Sequence, residues 1–199
     1  MLMKNNKFYF LGACLLCATT VFSQDVDIQP APQQLTAQDK NIVLPSTYLL
    51  TGEKEANPHA VKALQELLSG KQNGKNGIRI YIGEKDDKSV RKYKHLIPKH
   101  EEGYFLAVND KEIVLAGNDE RGTFYALQTF AQLLKDGKLP EVEIKDYPSI
   151  RYRGVVEGFY GTPWSHQARF RQLKFYGENK MNTYIYGPKD DPYHSAPNW

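Results

Sequence analysis

Apolar positions recur along this chain in two rhythms: three or four residues apart in some segments, and in short runs bounded by turn residues in others. Val61, Leu64, Leu67 and Leu68 share one helical face. They sit behind Asn57-Pro58, an N-cap followed by proline at the first helical position, and ahead of Gly70 as a stop. Residues 41–44 and 47–51 before this helix, and 77–82 after it, read as strands, so strand, helix and strand form a βαβ unit. Residues 104–108 and 112–116 flank Asn109-Asp110-Lys111, a hairpin by turn chemistry. Asn118 is placed to cap a second helix, whose face is Phe124, Leu127, Ala131 and Leu134 and which ends at Gly137; residues 141–144 add a strand. Upstream, Pro30 and Pro32 favour an extended lead-in over residues 28–34. The pattern over 24–148 is that of a small α/β domain, with its boundary at Tyr147-Pro148 and no internal repeat or low-complexity tract.

Past the boundary the rhythm becomes strand, helix, strand: residues 152–156, a helix capped by Ser165 with Phe170, Leu173 and Tyr176 on one face, and residues 182–186. Two short apolar strands joined by one helix open a parallel α/β architecture. A closed (β/α)8 barrel takes ~250 residues, so residues 149–199 match its first two units and the sequence reads as a truncated barrel.

The N-terminus carries a different pattern. Lys4 and Lys7 precede an apolar run from Phe8 to Val21, and Phe22-Ser23-Gln24 makes a cleavage edge, so residues 1–23 read as a signal peptide and the product as exported, periplasmic or secreted. The run is shorter than the ~20 apolar residues of a spanning helix, which argues against a membrane anchor once the signal is cleaved. Leu11-Gly12-Ala13-Cys14 also resembles a lipoprotein box, but cleavage there leaves a very short apolar run. Both cysteines, Cys14 and Cys17, fall inside this segment, so a chain cleaved near Gln24 has no thiol for disulfides, metal sites or nucleophilic catalysis. Of 26 basic residues Lys4 and Lys7 leave with the signal, against 23 acidic ones that stay, and this balance speaks against nucleic acid or an anionic membrane as partner.

The chemistry concentrates where two strands of the C-terminal unit end. Glu157-Gly158-Phe159-Tyr160-Gly161 follows the first, and Tyr186-Gly187-Pro188-Lys189-Asp190-Asp191-Pro192-Tyr193-His194 follows the second. In (β/α)8 barrels the C-terminal strand ends carry the active site. Glycine lets a ligand approach the backbone, aromatic rings suit the apolar face of a sugar, and lysine donates to hydroxyls. On spacing alone, glycines that turn the chain and aromatics that fill the rim explain the same residues equally well.

RYRGVVEGFYGTPWS followed by NKMNTYIYGPKDDPYH closely resembles the start of the catalytic barrel of glycoside hydrolase family 84, which comprises O-GlcNAcase-like β-N-acetylglucosaminidases and hyaluronidase-type enzymes. The preceding NDERGTFYALQTFAQLL is similar to the non-catalytic α/β domain shared with β-hexosaminidases. The resemblance implies a hexosaminidase-like N-terminal α/β domain, then the first two β/α units of a TIM barrel. It also implies retaining hydrolysis assisted by the substrate's own 2-acetamido group, with no cofactor required and N-acetylglucosamine-containing glycans or glycoproteins as partners. By the same resemblance Gly158 contacts the sugar through its carbonyl, Lys189 binds a sugar hydroxyl, and Tyr160 lines the pocket. The family's catalytic aspartate pair follows the fourth barrel strand, so Asp190 and Asp191, after the second, are expected to be structural and the catalytic pair to lie beyond Trp199. Glu157 receives no catalytic role, and His166 and His194 lack metal-ligand spacing.

Two functions stay open on these grounds: the N-terminal part of a family 84 enzyme, or a non-catalytic carbohydrate-binding or interaction module. Either way, the 199-residue chain alone is expected to lack glycosidase activity and to aggregate unless cut back near Pro148. In the βαβ unit the loops after the two parallel strands share an edge, which offers Glu55, Glu84 and Asp87 as ligands for a structural calcium ion. Lys54, Lys85 and Lys88 equally fit a solvated mixed-charge edge.

Overall fold

A computed structural model describes residues 26–74, 77–159 and 163–188. Residues 1–25, with the expected signal segment and Cys14 and Cys17, lie outside the described residues, as do Tyr160, Lys189, Asp190, Asp191 and His194. In chain order the elements are β1 (Gln34–Val43), β2 (Thr47–Thr51), α1 (Pro58–Leu67), β3 (Gln72–Asn73), β4 (Ile78–Glu84), a 3-10 turn (Arg91–Tyr93), β5 (Tyr104–Val108), β6 (Glu112–Gly117), α2 (Glu120–Leu133), β7 (Lys138–Asp146), β8 (Gly154–Phe159), α3 (His166–Glu178) and β9 (Thr183–Pro188).

Seven strands form one mixed sheet in the order β1-β7-β5-β6-β4-β2-β3. β2 and β4 pair in parallel across α1, the expected βαβ unit, and β4 continues in parallel to β6. β5 and β6 are the expected antiparallel hairpin, and β7 and β1 extend the sheet antiparallel beyond β5. Alternation along the central strands assigns the two faces. Tyr104, Leu106, Val108, Ile113 and Leu115 join the core with Leu64, Leu127 and Phe130 of the helices, while Phe105, Val114 and Ala116 pack with Val90 and Ile97 of the 85–103 connection. Both faces of the sheet are therefore covered.

Helix α1 forms as its sequence dictates: the Asn57 side chain accepts from the N–H groups of His59 and Ala60, and Ala60, Val61 and Leu64 are buried. Helix α2 departs from expectation twice. Its N-cap is Asp119, which accepts from the Gly122 N–H, whereas Asn118 accepts instead from the Lys85 ammonium. Its buried face is centred on Ala126, Leu127, Phe130 and Leu133, with Phe124 and Leu134 only partly buried. The reason is that α2 lies between α1 and α3 as well as on the sheet, so an arc wider than one stripe is covered.

The C-terminal unit is a two-stranded parallel sheet, β8-β9, joined through α3. Ser165 caps α3 as expected, by accepting from the Ala168 N–H. Of the expected apolar face only Tyr176 is buried; Phe170 is 70% and Leu173 44% exposed.

Candidate active site

Register brings the two strand ends together. Glu157 pairs with Tyr186, Gly158 with Gly187 and Phe159 with Pro188, so the last described residues before Tyr160 and Lys189 stand side by side at one end of the parallel pair. Gly158 is exposed, and among the described residues a Cβ built on it would meet nothing nearer than the Gly187 carbonyl oxygen at 4.0 Å.

Glu157 closes the floor behind that end. It is buried, and its carboxylate accepts from Arg169 Nε at 2.9 Å, Arg169 Nη2 at 3.0 Å, the Trp164 N–H at 3.2 Å and the Tyr184 hydroxyl. The Arg169 hydrogen bonds, reinforced by Tyr184 and Trp164 and opposed only by burial, hold its carboxyl down at about 2. The same cluster raises Arg169, and the Glu157 hydrogen bond raises the Tyr184 phenol. Arg169 also lies 4.8 Å from the centroid of the Tyr186 ring. A carboxylate held ionised and saturated with donors cannot deliver a proton, so Glu157 ties β8, β9 and the start of α3 together. Arg169 and Tyr184 went unnoticed in the sequence because a partner twelve or twenty-seven residues away leaves no local pattern.

At the other end of β8 and β9 two carboxylates of the sheet domain reach across. Glu102 is 2% exposed and accepts from Arg153 Nη2 at 2.5 Å, Asn182 Nδ2 at 2.9 Å and Arg121 Nη1 at 3.1 Å. Burial pushes its carboxyl up, but the bonds from Asn182, Arg153 and Arg121 outweigh burial and leave it below the ordinary value. The buried Lys180 ammonium donates to Asp146 Oδ2 at 3.1 Å and to the Tyr104 hydroxyl at 2.9 Å, and that hydroxyl donates to Asp146 at 2.8 Å. Burial lowers Lys180 against the opposing pull of Asp146.

The expected calcium residues meet a different use. The loops after β2 and β4 do come together, but Glu55 accepts from the Lys88 N–H, Glu84 from the Asn57 N–H and Asp87 from the Glu84 N–H. Each carboxylate accepts from a different backbone N–H, Glu84 and Asp87 also interact with each other, and among the described residues no group of three metal-ligating side chains converges. His166, the first residue of α3, is exposed.

Residues 25–147 match the family model of glycosyl hydrolase family 20, domain 2, and residues 153–199 match the one described as beta-N-acetylglucosaminidase. A beta-hexosaminidase of Porphyromonas gingivalis is 28% identical over 173 residues, covering 73% of this chain and 22% of its own. Protein O-GlcNAcase of Rattus norvegicus is 52% identical over 44 residues, 21% of this chain and 4% of that protein. The solved structure of CpGH84B superposes with a TM-score of 0.76 at 38% identity, covering 85% of this chain and 31% of its own. A glycoside hydrolase family 20 beta-N-acetylglucosaminidase superposes with a TM-score of 0.63 at 23% identity, over 81% of this chain and 30% of its own, and shares the fold. The chain spans about a fifth of the two beta-hexosaminidases it matches over most of its length, and about a third of these structures.

Proposed function

We propose a function from the premise that this chain belongs to the glycosyl hydrolases, through the family 20 domain 2 fold of residues 25–147 and the family 84-like β-N-acetylglucosaminidase segment that follows: it is the N-terminal part of an exported enzyme that hydrolyses terminal β-linked N-acetylglucosamine. In this reading β8-α3-β9 opens a (β/α)8 barrel, and Gly158, Lys189 and Tyr160 form one wall of the sugar site. The substrate's acetamido oxygen attacks the anomeric carbon, forming an oxazoline, as the bond to the aglycone oxygen breaks and an aspartic acid protonates that oxygen. Water, deprotonated by the same aspartate, then opens the oxazoline with net retention. The aspartate pair comes from beyond β9, since Asp190 and Asp191 follow the second strand and the family's pair follows the fourth. Residues 1–23 direct export.

The observation that carries this reading is the parallel register Gly158 with Gly187, which brings both motif segments to one end of the strand pair. Lys189→Ala in the complete enzyme tests it. Losing a charge-assisted hydrogen bond of ~1.5–3 kcal/mol lowers kcat/KM on an aryl β-N-acetylglucosaminide roughly 10- to 150-fold, with Tm unchanged. If Lys189 instead partners Asp190 or Asp191, Tm falls and the kinetics stay near normal, and the reading fails.

A further inference from the structure

The roots of β8 and β9, opposite the proposed sugar wall, are not held by the C-terminal unit alone. Arg153 immediately precedes β8 and Asn182 immediately precedes β9. They are bonded to each other: the Arg153 N–H donates to Asn182 Oδ1 at 3.0 Å, and the Asn182 and Thr183 N–H groups donate to the Arg153 carbonyl at 2.8 and 3.0 Å. Both side chains then end on the single carboxylate of Glu102. Arg153 Nε donates to the Lys180 carbonyl at 3.0 Å and Nη1 to the Ile150 carbonyl at 2.7 Å, and the Lys180 ammonium is buried on Asp146 and Tyr104. Two of these residues, Glu102 at φ 62° and Lys180 at φ 58°, occupy the left-handed region. Residues other than glycine persist there where their surroundings over-determine them.

A buried ion pair is weak evidence for stability, because desolvation offsets much of the attraction, and its better attested use is to fix register. Here the geometry fits that use. The strands are parallel and in register from Gly154 with Thr183 to Phe159 with Pro188. At ~3.3 Å per residue their proposed sugar-facing ends, Gly158 and Gly187, stand about 16 Å from the clamped roots.

We propose that Glu102 and Asp146 are positioning residues of the glycosidase: through Arg153, Asn182 and Lys180 they set the register and separation of β8 and β9, and so the placement of the Gly158 and Lys189 wall. The α/β domain is then a registration platform for the barrel's first two strands and not a separate binding module. The inference rests on the proposed function for its kinetic arm, and stands on exchange measurements without it.

The test compares Glu102→Gln, Asp146→Asn and Arg153→Lys in the complete enzyme with Asp110→Asn, which touches only the exposed Lys40 pair. Hydrogen exchange at the backbone amides of β8 and β9 accelerates roughly tenfold or more in Glu102→Gln and Asp146→Asn, while β4 and β6 keep their protection. On the aryl substrate kcat/KM per folded molecule falls roughly tenfold. Arg153→Lys, which keeps the charge but loses the fork, gives a smaller shift in both, and serves if the other variants do not fold. Unchanged exchange at β8 and β9, or a loss of Tm with uniform exchange and normal kinetics, overturns the proposal. An inactive parent enzyme defeats the proposed function instead, and the exchange pattern still decides this one.

Discussion

At Glu157 a single carboxylate joins two strands and a helix, and its ionisation is the quantity to measure. Its folded-state value is about 2 against an ordinary 4.5, so its stabilising contribution is complete above pH ~4.5 and is lost as pH falls toward 2. Glu102, also held below its ordinary value, acts in the same direction. Thermal melts between pH 7 and pH 2.5 are expected to show Tm falling with acid, and Glu157→Gln to lower Tm at pH 7 while flattening that fall. Two glycines then separate structure from function. A Cβ at Gly154 would stand 1.6 Å from the Thr183 carbonyl oxygen, so Gly154→Ala forces the strands apart and is expected to cost ~3 kcal/mol or more in chemical denaturation. A Cβ at Gly158 meets no such contact among the described residues, so Gly158→Ala is expected to change stability by less than ~1 kcal/mol while lowering kcat/KM in the complete enzyme.

Among the elements, caps and phases decided what was legible. Asn57-Pro58 and Ser165 announced α1 and α3 because a capping side chain acts within three residues of itself. Asn118 and Asp119 are adjacent residues of equal capping quality, and what separates them is tertiary: Asp119 accepts from the Glu102 N–H as well as from Gly122, while Asn118 is claimed by Lys85. Asp119→Ala is accordingly expected to cost ~1–2 kcal/mol and Asn118→Ala about half a kcal/mol or less, measured by urea unfolding. The buried arc of α2 is wider than its sequence pattern for a related reason. Phe124 packs at the edge of the core, and its ring also lies against Gly177 of α3, which no periodicity within α2 encodes. Likewise composition does not reveal that Glu55, Glu84 and Asp87 each accept from a backbone N–H of the turns around them.

Over the whole molecule, the strand-end motifs were readable because glycines, aromatics and lysine there are crowded into two short segments, whereas the Glu102 and Asp146 clamp joins residues 34 to 80 apart. That clamp is polar, and it bears on how the chain behaves alone. On the C-terminal unit Val156, Ile185, Phe170, Leu173 and Phe175 are all more than two-fifths exposed, and β8 and β9 are the only strands of their sheet among the described residues. Such a cluster with a bare parallel edge favours self-association. Cutting after Pro148 removes every one of these groups. What it uncovers on the sheet domain is the other half of the clamp, Glu102, Tyr104 and Asp146, which water solvates readily, together with the Phe124 ring that lies against Gly177 of α3. The 199-residue chain is therefore expected to sediment as oligomers and to bind an apolar dye such as ANS. A chain ending at Pro148 is expected to sediment as a folded monomer with little dye binding. A monomeric 199-residue chain beside an aggregating shorter one would mean that β8, α3 and β9 shield the sheet domain more than they burden it.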